Sequence, residues 1–480
     1  MHHHAPSAPT AALRAAAWAL AAGVAAGVAG CASVSPDDTL AAARQRLPGS
    51  GGAALTLQHL ESQRLAAVAA TNQLLDQPVD AAAAQRLHLL ASPALQALLA
   101  EAWATDLAAQ ASARPMMPQL TWERLVNGSQ PDITRTLGLN LTDWLLWPLR
   151  SRVVQHRTEA QRLSLTRQVL AQAQLVRQQW VRAVAARELL VYHQQVQQAT
   201  QASADLADRM QAAGHFNRLR QAREQAFAVE AGTRMLMAEQ AAVSEREALI
   251  RLLGLRGDQV QRLKLPDRLP ALPEQARSAE SVNADLAPGL DVVMAQQQLA
   301  ARLDEEPLGL GLVELDAAIK RSSTGNGSGH GMELGLRLPW LDVGANTRAH
   351  LSARQLAALN RVHQTQVEAS SLLRERYAAY RAAFTIASQT RQRLLPLRER
   401  IADETLLQYN GMLVSVFELL AETRAQVNTV ITTIEAQRDF WLADAALQAA
   451  IDGVPAGGAG GPPSWPGAAA ANPEPAGHGS

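Results

Sequence analysis

The sequence predicts a mainly α-helical protein with a small β part, in which a unit of helix, β-hairpin and long coiled-coil helices occurs twice. Three observations predict this fold class. Short sequence patterns recur at one spacing along the 480 residues, Gly and Pro are almost absent from four long stretches, and strand-like segments precede the two longest of these stretches.

The duplication is visible at matched positions. The segment 137–141 (LGLNL) recurs at 334–338 (LGLRL), and 334 minus 137 is an offset of 197 residues. The glycines at 214 and 411 have the same offset of 197, and PAL at 93 matches PGL at 288 with an offset of 195. Three matches at nearly one spacing indicate two copies of one unit.

Each copy is predicted to contain one very long helix, a glycine turn and a shorter return helix. Helices are predicted over four ranges that hold at most one Gly or Pro each: 149–213, 215–253, 345–410 and 412–452. At about 1.5 Å per residue the first helix would extend about 100 Å, which exceeds a globular domain.

Apolar residues in the first long helix repeat about every 3.5 residues, the period of a left-handed coiled coil. The predicted seam consists of Val153, Ala160, Leu163, Leu170, Ala173, Trp180, Val184 and Val191. An ordinary amphipathic bundle helix, with a period of about 3.6 residues, is the alternative.

A β-hairpin is predicted ahead of each long helix, with strands within about 119–141 and about 308–338. Residues 334–338 alternate Leu with Gly or Arg, which is the period-two pattern of a strand. The predicted strands are about as long as tilted transmembrane strands, which need about 9–11 residues.

Four strands cannot close a sheet within one chain if they lie in a membrane. An open sheet edge cannot face lipid, because its amide groups would lack partners, and bacterial membrane barrels have at least about eight strands. Several chains would have to contribute, for example three chains with twelve strands. The alternative is a pair of soluble hairpins on a coiled-coil body.

Three tryptophans follow the hairpins. Trp144 and Trp147 come after the first hairpin, and Trp340 comes after the second. They predict either an aromatic belt at a membrane interface or simple packing at the junction of strand and helix.

The first 30 residues have the pattern of a targeting segment. Residues 15–30 are apolar and uncharged, a stretch that is short for a membrane-spanning helix and typical of a signal-peptide core. The sequence VAG before Cys31 resembles a bacterial lipoprotein cleavage box, which implies cleavage before Cys31 and acylation of that residue. Ala32 at the next position favours the outer membrane. A stray cysteine beside an ordinary cleavage site is the alternative.

Composition and motifs exclude several classes of function. Lys+Arg 44 balance Asp+Glu 44, and a net charge of zero argues against a nucleic-acid partner. The single Cys excludes an intrachain disulfide and a cysteine metal cluster. The sequence contains no HExxH, no Walker loop and no strand-linked GxGxxG. Catalytic residues, metal ligands and cofactors are therefore not predicted, and the protein is not expected to be an enzyme.

From about residue 80 to 453 the chain resembles the TolC family of outer-membrane efflux proteins, in its lipidated branch. The motifs that carry the resemblance are SPAL at 92–95, LRLPWLDVG at 336–344, YNG at 409–411 and, after Ser415, ELL at 418–420. The resemblance implies a homotrimer. Its twelve strands would form a β-barrel in the outer membrane, continued by a periplasmic α-helical tunnel.

The function implied by this resemblance is that of a passive channel in a tripartite efflux system, which exports small molecules or metal ions. The implied partners are a periplasmic adaptor protein, an inner-membrane transporter and the lipid of the outer membrane. Two alternatives stay open: a lipid-anchored periplasmic coiled-coil scaffold without a pore, and the outer-membrane duct of a protein secretion system.

The resemblance also places the periplasmic aperture at the two helical turns. The residues implied there are Gly214, Arg218, Arg220, Tyr409, Gly411, Glu418 and Glu422. Arg220 stands where the family often has an acidic residue, so the gate pairing of the family does not transfer unchanged. The hypothesis is that Arg218 or Arg220 pairs with Glu418 or Glu422 to hold the aperture shut; solvated tip charges are the alternative.

The predicted organisation has six parts: a signal peptide (1–30), a lipidated N-terminal segment (31–79), a first repeat (80–257), a linker between the repeats (258–287), a second repeat (288–453) and a Gly- and Pro-rich disordered tail (454–480).

Overall fold

The computed structural model describes residues 35–47, 51–127, 130–284, 289–305, 314–324, 327–337 and 345–454. The predicted signal peptide, Cys31, Trp340 and the tail beyond residue 454 lie outside the described residues.

The first half of the described chain contains seven helices and one hairpin. The N-terminal helices are α1 (Pro36–Arg46), α2 (Gly51–Ala54), α3 (Glu61–Leu74), α4 (Ala81–Ala91) and α5 (Pro93–Ala113). The hairpin and the two long helices are β1 (Gln119–Asn127), β2 (Gln130–Asn140), α6 (Leu141–Ala212) and α7 (Arg218–Leu253).

The second half repeats this order after two short helices, α8 (Asp258–Arg262) and α9 (Ala279–Ala284). Its elements are α10 (Leu290–Glu305), β3 (Glu314–Thr324), β4 (Gly327–Arg337), α11 (Ala345–Gln389), a π-helical turn (Thr390–Leu394), α12 (Leu395–Asn410) and α13 (Val416–Ile451). The predicted fold class, a duplicated unit of helix, hairpin and long helices, is confirmed.

Helix α6 begins at Leu141, eight residues before the predicted start at 149, and contains Pro148. The Asn140 side chain caps it and accepts a hydrogen bond from the Asp143 backbone N–H at 2.7 Å. The buried Asp143 carboxylate in turn accepts from the Met116 N–H at 2.5 Å and pairs with Arg150. Because these contacts anchor the first turns, the proline removes one backbone hydrogen bond without ending the helix.

The helix predicted over 345–410 is interrupted by the π-helical turn at Thr390–Leu394, directly before Leu395 and Pro396. A proline ring crowds the carbonyl four residues earlier and lacks the N–H that would bond to it. A wider π turn makes room for the ring. The chain therefore stays helical through the proline.

The four strands form one antiparallel sheet in the order β1-β2-β3-β4. Its central pair joins the two copies, because Ile133–Asn140 of β2 pairs with Asp316–Ser323 of β3. Strands β1 and β4 are the edges, and the outer side of each has no partner strand within the described residues.

The buried core lies around the middle of α6. Seven of the eight predicted seam residues are buried; the exception is Val191, which is 44% exposed. Helix α6 also buries a second row that includes Leu165, Val169 and Val176, because the N-terminal helices and α7 pack on it as well. None of the helices in the described ranges is both long and apolar enough to cross a membrane.

The N-terminal helices and the linker between the repeats form hydrogen bonds with the long helices of this core. Asp106 of α5 accepts hydrogen bonds from the Thr39 hydroxyl and from Arg162 of α6, both at 2.8 Å. The described part of the predicted N-terminal segment (31–79) thus packs against the first repeat. The linker does so too, because the Gln437 side-chain amide donates to the Pro270 carbonyl at 2.7 Å.

His88 of α4 is buried between α6 and α7. Its Nδ1 atom lies 2.7 Å from the Leu252 carbonyl oxygen, and its Nε2 atom lies 3.1 Å from the Gln172 side-chain oxygen Oε1. Burial lowers the pKa of the His88 imidazole, because the charged form loses its solvation.

The stabilising contribution of His88 is therefore expected to depend on pH. The unfolded chain takes up a proton near about pH 6.5, whereas the folded chain takes it up only at a lower pH, so the contribution is present above about pH 6.5 and is lost as the pH falls below it. The difference in thermal stability between wild type and His88→Gln should shrink between about pH 8 and about pH 5. An unchanged difference would contradict this account.

Candidate functional site

The two faces of the sheet differ in chemistry. One face, here called the apolar face, presents Leu120, Trp122, Leu137, Leu139, Leu315, Ala317, Ile319, Met332, Leu334 and Leu336. Leu120 and Met332, at opposite edges, are each 74% exposed. An exposed apolar patch of this extent marks a surface that contacts a membrane or another protein.

The opposite face, here called the polar face, carries the acidic residues of the strands. Side chains alternate between the faces along each strand, so Glu123, Asp132, Glu314, Asp316 and Glu333 share this face. Lys320 also lies here and pairs with Glu333 on the neighbouring strand. The polar face is therefore suited to water and the apolar face to lipid.

Trp144 and Trp147 lie in the first turns of α6, directly below the sheet, and both are exposed, as is Leu145 between them. Their placement agrees both with an aromatic belt at a membrane interface and with simple packing at the junction of strand and helix. The aromatic belt stays a prediction.

The first helical tip is a tight turn built on one glycine. Gly214 has a φ of +81°, which an L side chain adopts only with strain. The N–H groups of His215 and Phe216 both donate to the Met210 carbonyl, at 2.8 and 3.2 Å. The Asn217 side chain then caps α7 and accepts from the Arg220 N–H at 2.9 Å.

The second tip has a different backbone at the matched glycine. Gly411 has a φ of −79°, whereas the following residue, Met412, has a positive φ of 58°. The Leu413 N–H donates to the Gln408 carbonyl at 2.9 Å, and the Ser415 side chain caps α13. The offset of 197 residues thus identifies both turns, but the left-handed residue lies one position later in the second.

The residues predicted for the aperture lie at these tips, but the structure pairs the charges differently from the hypothesis. Glu422 pairs with Arg398 of α12, at 3.2 Å. Arg398 lies on the adjacent helix of the same tip as Glu422, whereas Arg218 and Arg220 belong to the other tip. The Arg220 guanidinium lies 5.8 Å from the centroid of the Phe216 ring. Arg218, Tyr409 and Glu418 are exposed.

A second ion pair, also missed by the sequence analysis, joins the two tips. Glu224 of α7 is buried; it accepts a hydrogen bond from the Ser203 hydroxyl at 3.2 Å and pairs with Arg424 of α13 at 3.5 Å. The Arg424 guanidinium also lies 4.0 Å from the centroid of the Phe227 ring. This cluster is therefore a direct contact between the two copies of the repeat.

One signal in the sequence could have identified these acids. Glu224 lies seven residues after the cap Asn217, and Glu422 lies seven residues after the cap Ser415. The two acids thus occupy the same position in the two return helices, and each binds an arginine. Within the described ranges no three metal-ligating side chains converge.

The chain is similar in structure to solved membrane proteins, among them outer-membrane channels. A membrane protein from Pseudomonas aeruginosa aligns over 79% of this chain and 93% of its own, with a TM-score of 0.66 and 17% identity. The CmeC outer membrane channel of Campylobacter jejuni aligns over 80% of this chain and 86% of its own, with a TM-score of 0.66 and 12% identity. The MtrE outer membrane channel of Neisseria gonorrhoeae, solved in an open state, aligns over 80% of this chain and 90% of its own, with a TM-score of 0.62 and 14% identity.

No model of a known protein family matches the chain, and no curated protein sequence does. At identities this low the similarity defines the fold, and that fold is the one of the TolC-like outer-membrane channels.

The two tip glycines are expected to respond differently to the same substitution. Gly214→Ala forces a side chain into the left-handed region and should destabilise the turn by about 1 kcal/mol, although its added Cβ meets no atom within 4 Å. Gly411→Ala is the matched control, because its φ suits alanine. Hydrogen exchange at the adjoining turns of α6 and α7 should accelerate in the first variant. Equal rates of hydrogen exchange in the two variants would contradict the backbone strain expected for alanine at position 214.

Proposed function

We propose that this chain is the outer-membrane channel of a tripartite efflux system, a passive trimeric conduit that exports small molecules or metal ions from the periplasm. One observation carries the proposal. A four-stranded sheet with an exposed apolar face and two unpartnered edges is mounted on two hairpins of very long helices.

The edges favour a trimer in a membrane. Backbone groups at an open edge find no hydrogen-bond partner in lipid, so β1 of one protomer must pair with β4 of the next. Three protomers supply twelve strands, which is enough to close a membrane barrel. The apolar face then contacts lipid and the polar face lines the water-filled interior.

The helical tips would form the periplasmic end of the conduit. There the chain would meet a periplasmic adaptor protein and, through it, an inner-membrane transporter that supplies the energy. The pairs Glu224–Arg424 and Glu422–Arg398 hold the helices of the tips together. They therefore support a closed aperture that opens when the helices separate, in the manner of a two-state switch.

Purification and reconstitution test the proposal. Extraction from membranes should require detergent, the protein should migrate as a heat-sensitive trimer, and the trimer should produce discrete conductance steps in a planar lipid bilayer. A scaffold without a pore would produce no conductance steps, which would reject the channel. A soluble monomer would contradict both the trimer and the channel.

The tip pairs should control the size of these conductance steps. The Arg398–Glu422 pair is partly buried and contributes about 1 kcal/mol; a trimer carries three copies, so Arg398→Ala should weaken the closed state by up to about 3 kcal/mol. We expect its conductance or open fraction to rise severalfold. Arg400→Ala, an exposed arginine on the same helix, is the control; equal conductance in the two variants would reject the role of the pair.

Acylation of Cys31 would add a lipid anchor, and two or more acyl chains hold a protein stably at a membrane. Radiolabelled palmitate should enter the wild-type protein and be absent from Cys31→Ser, while the variant still assembles as a trimer. Labelling that persists in Cys31→Ser would place the modification elsewhere.

A further inference from the structure

Four basic residues form a cluster on the apolar face of the sheet. Arg135 of β2 is the register partner of Trp122 on one side and of Arg321 on the other, and Arg321 is the partner of His330. Arg124 of β1 lies on the same face, two residues further toward the hairpin end. These four residues are here called the basic cluster. Neighbouring strands lie about 4.8 Å apart, so it spans about 14 Å across all four strands.

Within the described strands, no acidic side chain lies on the same face as this cluster. The register places every Asp and Glu of these strands on the polar face, and the sequence between the paired strands, GS at 128–129 and GN at 325–326, contains no acid. Within the described residues none of the three arginines forms an ion pair with a carboxylate. Like charges directly opposite each other on adjacent strands destabilise a sheet. An external anion would therefore stabilise the arrangement.

The position of the cluster along the strands indicates where that anion lies. The row next to it, toward the helices, is Leu120, Leu137, Ile319 and Met332, and two further apolar rows follow. If the apolar face lies in hydrocarbon, the basic cluster comes at its border, on the side away from the long helices. Charged side chains are least costly at that headgroup depth, where Trp122 is also suited to lie.

We propose that the basic cluster binds the phosphate groups of an anionic lipid in the membrane leaflet farther from the helical body. Two adjacent guanidinium groups match a phosphate, because each offers paired N–H donors to its oxygens. The apolar rows beneath the cluster accommodate the acyl chains. The inference rests on the proposed function, which places the apolar face in a membrane and the helices in the periplasm; the lipid is then one of the outer leaflet.

Native mass spectrometry of the full-length trimer in detergent tests the proposal, with lipid A as the bisphosphorylated probe and dephosphorylated lipid A as its matched control. Wild type should bind lipid A about tenfold or more tightly than the dephosphorylated form, because each lost charge-assisted contact accounts for about that factor. The variant Arg135→Gln/Arg321→Gln should lose this preference. Lys320→Gln, which removes a positive charge from the polar face of the same strand, should retain it.

Two results would overturn the inference: wild type that binds both lipids equally, and a double variant that keeps the preference. Conductance in phosphatidylcholine bilayers separates this failure from failure of the proposed function. Wild type and double variant should both conduct there, because the cluster faces lipid. A conducting wild type without a phosphate preference rejects the lipid site alone, whereas a wild type that does not conduct rejects the channel.

Discussion

The unpartnered edges of the sheet constrain the whole molecule. Strands β1 and β4 each present a row of backbone N–H and carbonyl groups, and the sheet between them has one apolar face. In water the apolar face is unfavourable, and in lipid the edges are unfavourable. Pairing with further copies would satisfy the edges, and the apolar face could then lie in lipid. The duplication contributes to this arrangement, because the β2–β3 pairing combines the two hairpins into one four-stranded sheet.

The long helices have a related problem, since a helix of 72 residues cannot be buried along its length by one chain. The structure concentrates burial around the middle of α6, where the N-terminal helices and the linker pack against it. Trp180 illustrates this arrangement, because its indole N–H donates to the Val79 carbonyl at 2.8 Å in the core. Toward the tips, apolar residues such as Val229 and Leu236 are exposed, and neighbouring protomers of the proposed trimer would cover such surface.

The tips show how the two copies diverge while keeping a common plan. Both return helices begin at a side-chain cap and carry an acid seven residues later, Glu224 and Glu422. The arginines that bind these acids come from different elements: Arg398 belongs to the same tip, whereas Arg424 crosses from the other copy. One pair therefore holds the two helices of a tip together, and the other holds the two tips to each other.

The sequence by itself determined the fold class, because the absence of Gly and Pro marks long helices, alternation marks strands, and matched spacing marks duplication. Each of these signals is local or periodic. The tertiary structure alone decided which charges meet: Arg398 with Glu422, Arg424 with Glu224, and Arg135 with Arg321 across β2 and β3. It also decided that α6 starts before Pro148 and that Met412 carries the positive φ. Such features depend on the register and facing of distant segments, and no pattern along one segment of the chain contains that information.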